Sequence, residues 1–206
     1  MTVPSMTAPT MTVPILSLLL FAIAGAFTPG PNNMISLASG AAFGFRRTLP
    51  QIWGVTFGFM IMVVAVGLGL GGLFAAVPSL HEILRYAGAG YLLYLAWKIA
   101  KADPASGAAI AKPFTVLQGA AFQWVNPKAW TMALSVVPAF TAPGGDVIAE
   151  VLVIAFVMGI VSFPALSMWA GFGMAISRIV SDPRKHRLIN VGMALLVVAS
   201  VVLLFR

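Results

Sequence analysis

Long apolar stretches make up most of the chain, and short segments with charged or helix-breaking residues separate them. A helix needs about 20 apolar residues to cross a hydrocarbon core of about 30 Å, and these stretches approach or exceed that length. Their apolar residues are continuous, whereas the strands of a membrane barrel alternate between apolar and polar positions. The pattern therefore predicts an all-α polytopic membrane protein with six transmembrane helices. The predicted spans are 13–43, 49–76, 83–99, 114–140, 147–179 and 188–205.

Composition supports this prediction and excludes other classes of protein. Of the 206 residues, 60% are hydrophobic and 8% are charged, whereas a soluble domain carries roughly 25% charged residues. A soluble enzyme, a disordered tail and a nucleic-acid-binding domain are therefore excluded. The chain has no cysteine, and its two histidines, His81 and His186, are far apart, so we expect no metal site and no cofactor. The predicted spans contain no serine–histidine pair or acidic cluster, so we do not expect an enzyme.

The distribution of basic residues predicts the orientation of the chain. Lysine and arginine collect in cytoplasmic loops, and the loops after spans one, three and five hold nine of them, against two on the opposite side. The odd-numbered loops should therefore be cytoplasmic, with both termini outside. Residues 1–12 are predicted to form a short polar tail before a single transporter domain, residues 13–206. The nine residues are Arg46, Arg47, Lys98, Lys101, Lys112, Arg178, Arg184, Lys185 and Arg187, and the two are Arg85 and Arg206.

A group of helix-breaking residues occurs twice, about 95 positions apart. The segment TPGPNN at 28–33 interrupts the first predicted span, and FQWVNPK at 122–128 lies in the fourth. The third and sixth spans also share a short pattern, at 86–93 and 190–196. The chain therefore divides into two halves of three spans, about 13–102 and 112–206. Since three is odd, the halves must cross the membrane in opposite senses, which is the inverted repeat of many secondary transporters.

The prolines of these segments predict a polar site at the middle of the membrane. Proline removes a backbone donor and disrupts the preceding turn, and in hydrocarbon the freed groups are tolerated only inside protein or beside a wet cavity. A half-helix that starts at the break directs N–H groups and a positive dipole at such a cavity, which suits a carboxylate. The alternative is that the prolines only kink the helix. The candidate substrate-binding residues are Thr28, Pro29, Gly30, Pro31, Asn32, Asn33, Gln123, Asn126, Pro127 and Lys128.

Lys128 is the only charged residue deep inside a predicted span. A charge in the membrane is costly unless it is solvated or paired, and the five acidic residues are all expected at or near helix ends. Lys128 is therefore expected to meet water, backbone carbonyls or an anionic group of a substrate. The alternative is that its long side chain reaches the membrane interface. The acidic residues are Glu82, Asp103, Asp146, Glu150 and Asp182.

Glycines four residues apart predict close packing between helices. Such pairs occur at Gly40 and Gly44, at 54 and 58, and at 67 and 71. Small residues at this spacing let the backbones of membrane helices approach each other.

Taken together, these motifs identify a resemblance to a known family. TPGPNN, the following GFRR, YAGAGYLLYLAWKIAKA and FQWVNPKAW occur in the same order in the amino-acid exporters of the LysE/RhtB family, and the resemblance begins near residue 13. Within that family, the chain looks most similar to the cysteine/O-acetylserine exporter branch. The resemblance implies a bacterial inner-membrane exporter with six helices. It assigns family motif positions to Pro29, Gly30, Pro31, Asn32, Asn33, Gly44, Arg46, Asn126, Pro127 and Lys128.

One departure from the family bears on the substrate. Relatives that export lysine or arginine carry an acidic residue soon after the Asn-Pro pair, and here that stretch reads KAWTMALS. A cationic side chain in a low-dielectric cavity would need such a carboxylate. The expected substrates are therefore small neutral amino acids or derivatives, similar to cysteine and O-acetylserine or to threonine, homoserine and leucine, exported by alternating access.

Two further points stay open from the sequence. A passive channel or facilitator for small polar solutes is the alternative function, and uphill export would exclude it. Protons are the candidate coupling ion, and a homo-oligomer is the candidate assembly. A thiol–disulfide carrier with a similar plan of helices would need cysteine, which the chain lacks.

Overall fold

The computed structural model describes residues 13–77, 79–101, 113–142, 145–179 and 183–202. In this part of the chain all regular structure is helical, which confirms the all-α prediction. The predicted tail (1–12) and most of the linker between the halves lie outside the described residues. The helices are α1 (Ile15–Phe27), α2 (Pro31–Phe43), α3 (Phe45–Ala65), α4 (Gly71–Ala76), α5 (Ser79–Ala100), α6 (Val116–Trp124), α7 (Pro127–Phe140), α8 (Val147–Ile179) and α9 (Pro183–Val202), with a π-helical stretch, Val66–Leu70, between α3 and α4.

Two of the described helical segments are long and apolar enough to cross a membrane. These are Phe45–Leu73, which contains α3, and Val147–Arg178, which is α8. A third is obtained if α1 and α2, bent by 55° to each other, form one span. Several helices start earlier than the apolar stretches predict, at Phe45, Ser79 and Pro183 rather than at 49, 83 and 188. The predicted bounds used charges as breaks, but a long charged side chain on the first turn of a helix can keep its charged end in water.

The fold exposes apolar side chains and buries polar ones. Leu16, Leu20 and Phe156 are each more than half exposed, while Gln51 and Gln123 are almost completely buried. A soluble protein has the opposite distribution. In a membrane the outer surface contacts lipid, and polar groups need partners inside the protein. The arrangement therefore supports the membrane class that the composition predicted.

Contacts between backbones at glycine bring several helices together. A Cβ atom at Gly40 would overlap the carbonyl of Ala170 in α8, and Cβ atoms at Gly54 and Gly58 would overlap the backbone of α6. The predicted close packing is therefore confirmed at these positions. The prediction of close packing is wrong at Gly44, where a Cβ atom would meet no other atom within 4 Å. The backbone φ angle of Gly44 is +78°. Gly44 instead ends α2, because its N–H donates to the carbonyl of Gly40.

The helices pack in a pattern that relates the two halves of the chain. Helices α1 and α2, from residues 13–102, pack mainly on α8, from residues 112–206. Conversely, α6 from residues 112–206 packs mainly on α3 from residues 13–102. In addition, α3 contacts α8 and α5 contacts α9. Gly54 and Gly58 meet Val116 and Ala120, respectively, so α3 and α6 run in the same direction. Each interrupted helix pair therefore contacts the long helix of the other half.

Candidate functional site

The first interruption of the helices is at Thr28-Pro29-Gly30. α1 ends at Phe27, Gly30 is extended (φ −172°, ψ 176°), and α2 starts with Pro31 at its first position, where the missing N–H is not needed. The side chain of Asn33 turns back across the break. Its Nδ2 donates to the carbonyls of Ala26 (2.9 Å) and Thr28 (2.8 Å), so Asn33 satisfies carbonyl groups that the break leaves without a helical partner.

The second interruption, Val125-Asn126, separates α6 from α7. α7 also starts with a proline, Pro127, and Asn126 caps it: Asn126 Oδ1 accepts a hydrogen bond of 3.1 Å from the backbone N–H of Lys128. The indole N–H of Trp130 donates to the carbonyl of Trp124 at 3.0 Å. Side chains therefore stabilise this break too, and the two breaks have similar local construction.

Side chains from the two breaks bond to each other directly. Asn32 Nδ2 donates to Gln123 Oε1 at 2.9 Å, and Gln123 Nε2 donates back to Asn32 Oδ1 at 3.2 Å. Lys128 Nζ donates to the carbonyl of Thr28 at 2.9 Å. These residues are 91 and 100 positions apart in the chain. The fold therefore places the interruption between α6 and α7 against the one between α1 and α2.

A small cavity lies where the breaks meet. It has about 40 Å³ of space for water-sized groups, which is enough for a few water molecules. Of the predicted site residues, five line it, namely Gly30, Asn32, Asn33, Asn126 and Lys128. The others do not: Thr28 and Pro29 are exposed, while Pro31, Gln123 and Pro127 are buried behind the cavity wall.

Most of the remaining wall consists of residues that sequence reasoning missed. Phe59 of α3, Met132 of α7, and Met158 and Leu166 of α8 contribute the larger side chains, and Gly25, Ala26, Ala129 and Ser162 complete the wall. Each is an ordinary residue for an apolar helix. Methionine adapts its shape to irregular space. Two methionines in the wall therefore suit a cavity that changes size.

The cavity presents positive charge and hydrogen-bond donors. Among the residues that line it, Lys128 is the only charged side chain. The first turn of α2 lines it through Asn32 and Asn33, and first turns have N–H groups without partners in their own helix. The first turn of α7 also lines it, but there the N–H groups of Lys128 and Ala129 already donate to Asn126. Such a site can bind a carboxylate. Of the three surroundings expected for Lys128, the structure shows a backbone carbonyl, that of Thr28.

A second buried polar group continues from the cavity along α2. Ser36 and Ser39 follow Asn32 by four and seven residues, so they lie on the same face of the helix. Both are completely buried. Gln51 of α3 accepts from Ser39 Oγ at 2.6 Å and donates to Ser36 Oγ at 3.2 Å. These bonds fix α2 against α3 next to the site.

Glu150 lies near a helix end, as expected for the acidic residues, because it is in the first turn of α8. It is nevertheless completely buried and lies inside the candidate span Val147–Arg178. Glu150 does not line the cavity.

The chain is similar to the proteins of a known family over most of its length. Residues 23–206 match the family described as LysE type translocator. The chain is 29% identical to the cysteine/O-acetylserine efflux protein of Escherichia coli (strain K12), over 90% of this chain and 94% of the relative. The proteins of the same name from Escherichia coli O9:H4 (strain HS) and Shigella flexneri serotype 5b (strain 8401) match equally. No solved structure matches the chain significantly.

Proposed function

Because the chain belongs to the LysE type translocator family, we propose that it exports small neutral amino acids or their derivatives across the bacterial inner membrane. The observation that carries this proposal is the cavity between the two helix breaks, where Lys128 and two helix starts face a space without an acidic side chain. A translocator moves its substrate and does not transform it, so we propose no enzymatic activity.

The charges around the cavity favour a zwitterion with a neutral side chain. The substrate carboxylate would bind Lys128 and the N–H groups at the start of α2. Its ammonium group would bind carbonyl oxygens freed at the breaks and the side-chain oxygens of Asn32 and Asn126, in place of their present bonds to Gln123 Nε2 and to the N–H of Lys128. A cationic side chain would enter a space with a lysine and without a carboxylate, which is unfavourable at low dielectric constant.

Similarity to named relatives suggests which neutral substrates to test first. The relatives with 29% identity are cysteine/O-acetylserine efflux proteins. Cysteine and O-acetylserine are both small and neutral in the side chain, which agrees with the class of substrate proposed here. Threonine, homoserine and leucine remain the other candidates of this class.

We propose that transport proceeds by alternating access between two inverted halves, about 13–102 and 112–206. The exchange of partners between the halves supports this mechanism, because each interrupted pair of helices contacts the long helix of the other half. In this proposal α1–α2 and α6–α7 each form one broken span, which gives six spans with both termini outside. The present cavity is small, so substrate binding requires the walls to separate on one side.

Transport by the purified protein in sealed liposomes tests the proposal. Labelled cysteine, O-acetylserine, threonine, leucine and lysine are loaded one at a time, and we expect faster movement of the neutral compounds than of lysine. Movement against a concentration gradient would exclude a channel or facilitator. Lys128→Met should reduce transport, whereas Lys101→Met should not, since Lys101 is exposed and lies over the Trp97 ring. Lysine as the best substrate would contradict the assignment.

A further inference from the structure

A groove lies on the outer surface of the helices, between α3 and α8. It offers about 300 Å³ of space for water-sized groups, compared with about 40 Å³ in the cavity at the breaks, and ligand pockets commonly have about 300–1,000 Å³. None of the described residues lines both spaces, so the groove is separate from the proposed substrate site. This α3–α8 groove is lined mainly by Trp53, Phe57, Met60, Phe156, Ile160 and Phe163.

The surface of the α3–α8 groove is almost entirely hydrocarbon and aromatic. Its one hydroxyl side chain, that of Thr56, has its oxygen buried below the surface. Trp53 stacks on Phe57 with 5.3 Å between the ring centres, and it contacts Phe163 of the other helix at 4.4 Å. These ring contacts hold the wall in place before a ligand binds, which lowers the entropic cost of binding. The groove therefore suits a long apolar chain.

A second copy of this chain fits the groove less well than a lipid chain does. Membrane helices pack closely where small residues let their backbones approach. The small residues of the groove do not provide such a surface, because Thr56 is almost completely buried and Met60 covers Gly159, where a Cβ atom would lie 2.5 Å from Met60 Sδ. Phe57 and Phe156 are about half exposed. A flexible acyl chain can follow this irregular surface, whereas a helix cannot approach it closely.

The two helices that form the groove are antiparallel. Trp53 of α3 contacts Phe163 of α8, whereas Gly67, later in α3, meets Val151, earlier in α8. The start of α3 therefore lies at the same end of the groove as the last turns of α8. The start of α8 lies at the opposite end.

The end of the groove at the start of α3 is basic. Arg46 precedes Trp53 by seven residues and Met60 by fourteen, so it lies on the face of α3 that forms the groove. Its side chain is exposed and forms no ion pair with any residue that the structure describes. Arg178 is in the last turn of α8, at the same end. The only acidic residue in the two helices, Glu150, is in the first turn of α8, so the basic end favours an anion.

The length of the groove matches one leaflet of a membrane. From Arg46 to Met60 the helix rises about 21 Å, and half of a bilayer with its headgroup region is about 20–22 Å thick. A phosphate bound to Arg46 would therefore place an acyl chain along the groove, with the end of the chain near Met60. In the proposed topology Arg46 is on the cytoplasmic side, so the lipid would belong to the inner leaflet.

The arginine and the groove contribute differently to binding. Lipid chains are as apolar as the groove, so the groove alone selects a shape and not a particular lipid. A guanidinium forms charge-assisted hydrogen bonds with a phosphate, and basic sites between helices at the cytoplasmic surface bind anionic headgroups. We propose that the α3–α8 groove binds one acyl chain of an anionic phospholipid whose phosphate binds Arg46. This site requires the membrane class of the protein and does not depend on the proposed transport of amino acids.

Quenching of tryptophan fluorescence by brominated lipids tests the proposal on the full chain in phosphatidylcholine vesicles. Bromine on an acyl chain quenches an indole ring that it contacts, and Trp53 lines the groove. Brominated phosphatidylglycerol, added as a minor component, should quench more strongly than brominated phosphatidylcholine at the same fraction, and the excess should saturate. Trp53→Phe keeps an aromatic ring and should remove this excess.

Two pairs of variants separate the headgroup from the chain. Arg46→Gln should weaken the binding of brominated phosphatidylglycerol about fivefold, which is the contribution of one arginine near an anionic membrane surface. Arg47→Gln is the matched control and should change it little, because Arg47 is also exposed but lines a different groove, beside Thr115. Ile160→Phe enlarges a side chain in the groove and should also weaken binding, whereas Leu152→Phe, at a position with the same 54% exposure outside the groove, should not.

Four results would overturn the proposal. The first is equal quenching by the two brominated lipids at every fraction, and the second is an excess that persists in Trp53→Phe, because the lipid would then bind elsewhere. The third is an equal effect of Arg46→Gln and Arg47→Gln. The fourth is protection of Trp53 from both lipids together with crosslinking of the chain into dimers, which would assign the groove to a second copy.

Discussion

The contact between Gly30 and Lys128 provides the sharpest test of the site. The lysine side chain crosses directly over Gly30 on its way to the carbonyl of Thr28. A Cβ atom at residue 30 would lie 2.8 Å from Lys128 Cδ and 3.0 Å from Nζ, whereas nonbonded carbon atoms are most stable at about 3.5–4.0 Å. Gly30→Ala therefore has to displace the lysine, although the extended backbone at residue 30 suits alanine.

The magnitude follows from the bond that is lost. A hydrogen bond to a charged group contributes about 1.5–3 kcal/mol, and about 1.4 kcal/mol corresponds to a factor of ten in an equilibrium constant. We therefore expect Gly30→Ala to lower kcat/KM for transport about 10- to 150-fold. Stability should fall by less than the lost bond contributes, because alanine in a compatible backbone adds about 0.4–1 kcal/mol.

The assay is transport in liposomes, combined with thermal unfolding in detergent, for Gly30→Ala, Lys128→Ala and the double variant. If the glycine acts through the lysine, the double variant should be no worse than Lys128→Ala. Gly90→Ala is the matched control, since a Cβ there meets no atom within 4 Å. Unchanged transport by Gly30→Ala, or fully additive losses in the double variant, would refute the reasoning.

Two further predictions concern the breaks and the packing of the helices. Asn33→Ala leaves the carbonyls of Ala26 and Thr28 without the Asn33 side-chain donor, so it should lower the free energy of unfolding in a denaturation assay by about 1–3 kcal/mol. Asn32→Ala should unfold nearly like the unmodified protein but transport more slowly. An Asn33→Ala variant as stable as the unmodified protein would contradict this. Gly58→Ala places a Cβ against the backbone of Ala120, so the yield of folded protein by size-exclusion chromatography should fall, and a normal yield would show that α3 and α6 can separate at little cost.

The class of the fold follows from the sequence, because the requirement for apolar helices in a membrane leaves a direct pattern. Pro29 and Pro31 remove backbone donors, and in the structure α1 ends at Phe27 and α2 starts at Pro31. The bounds of α3, α5 and α9 could not be predicted as well, because charged residues at an exposed helix start do not end a helix. Six spans were predicted, and the described helices provide two candidates, or three with the bent pair counted as one.

The sequence by itself determined the residue types at the two breaks and the scarcity of charge, and from these the membrane class and the candidate site. Only the tertiary structure decided how those residues are used. Asn33 closes its own break, Asn32 pairs with Gln123, and Lys128 binds Thr28 across 100 positions of the chain. The packing of α7 against α8 also decided that Glu150 is buried. Local sequence cannot show such facts, because a side chain acquires its partners and its exposure from distant segments that pack against it.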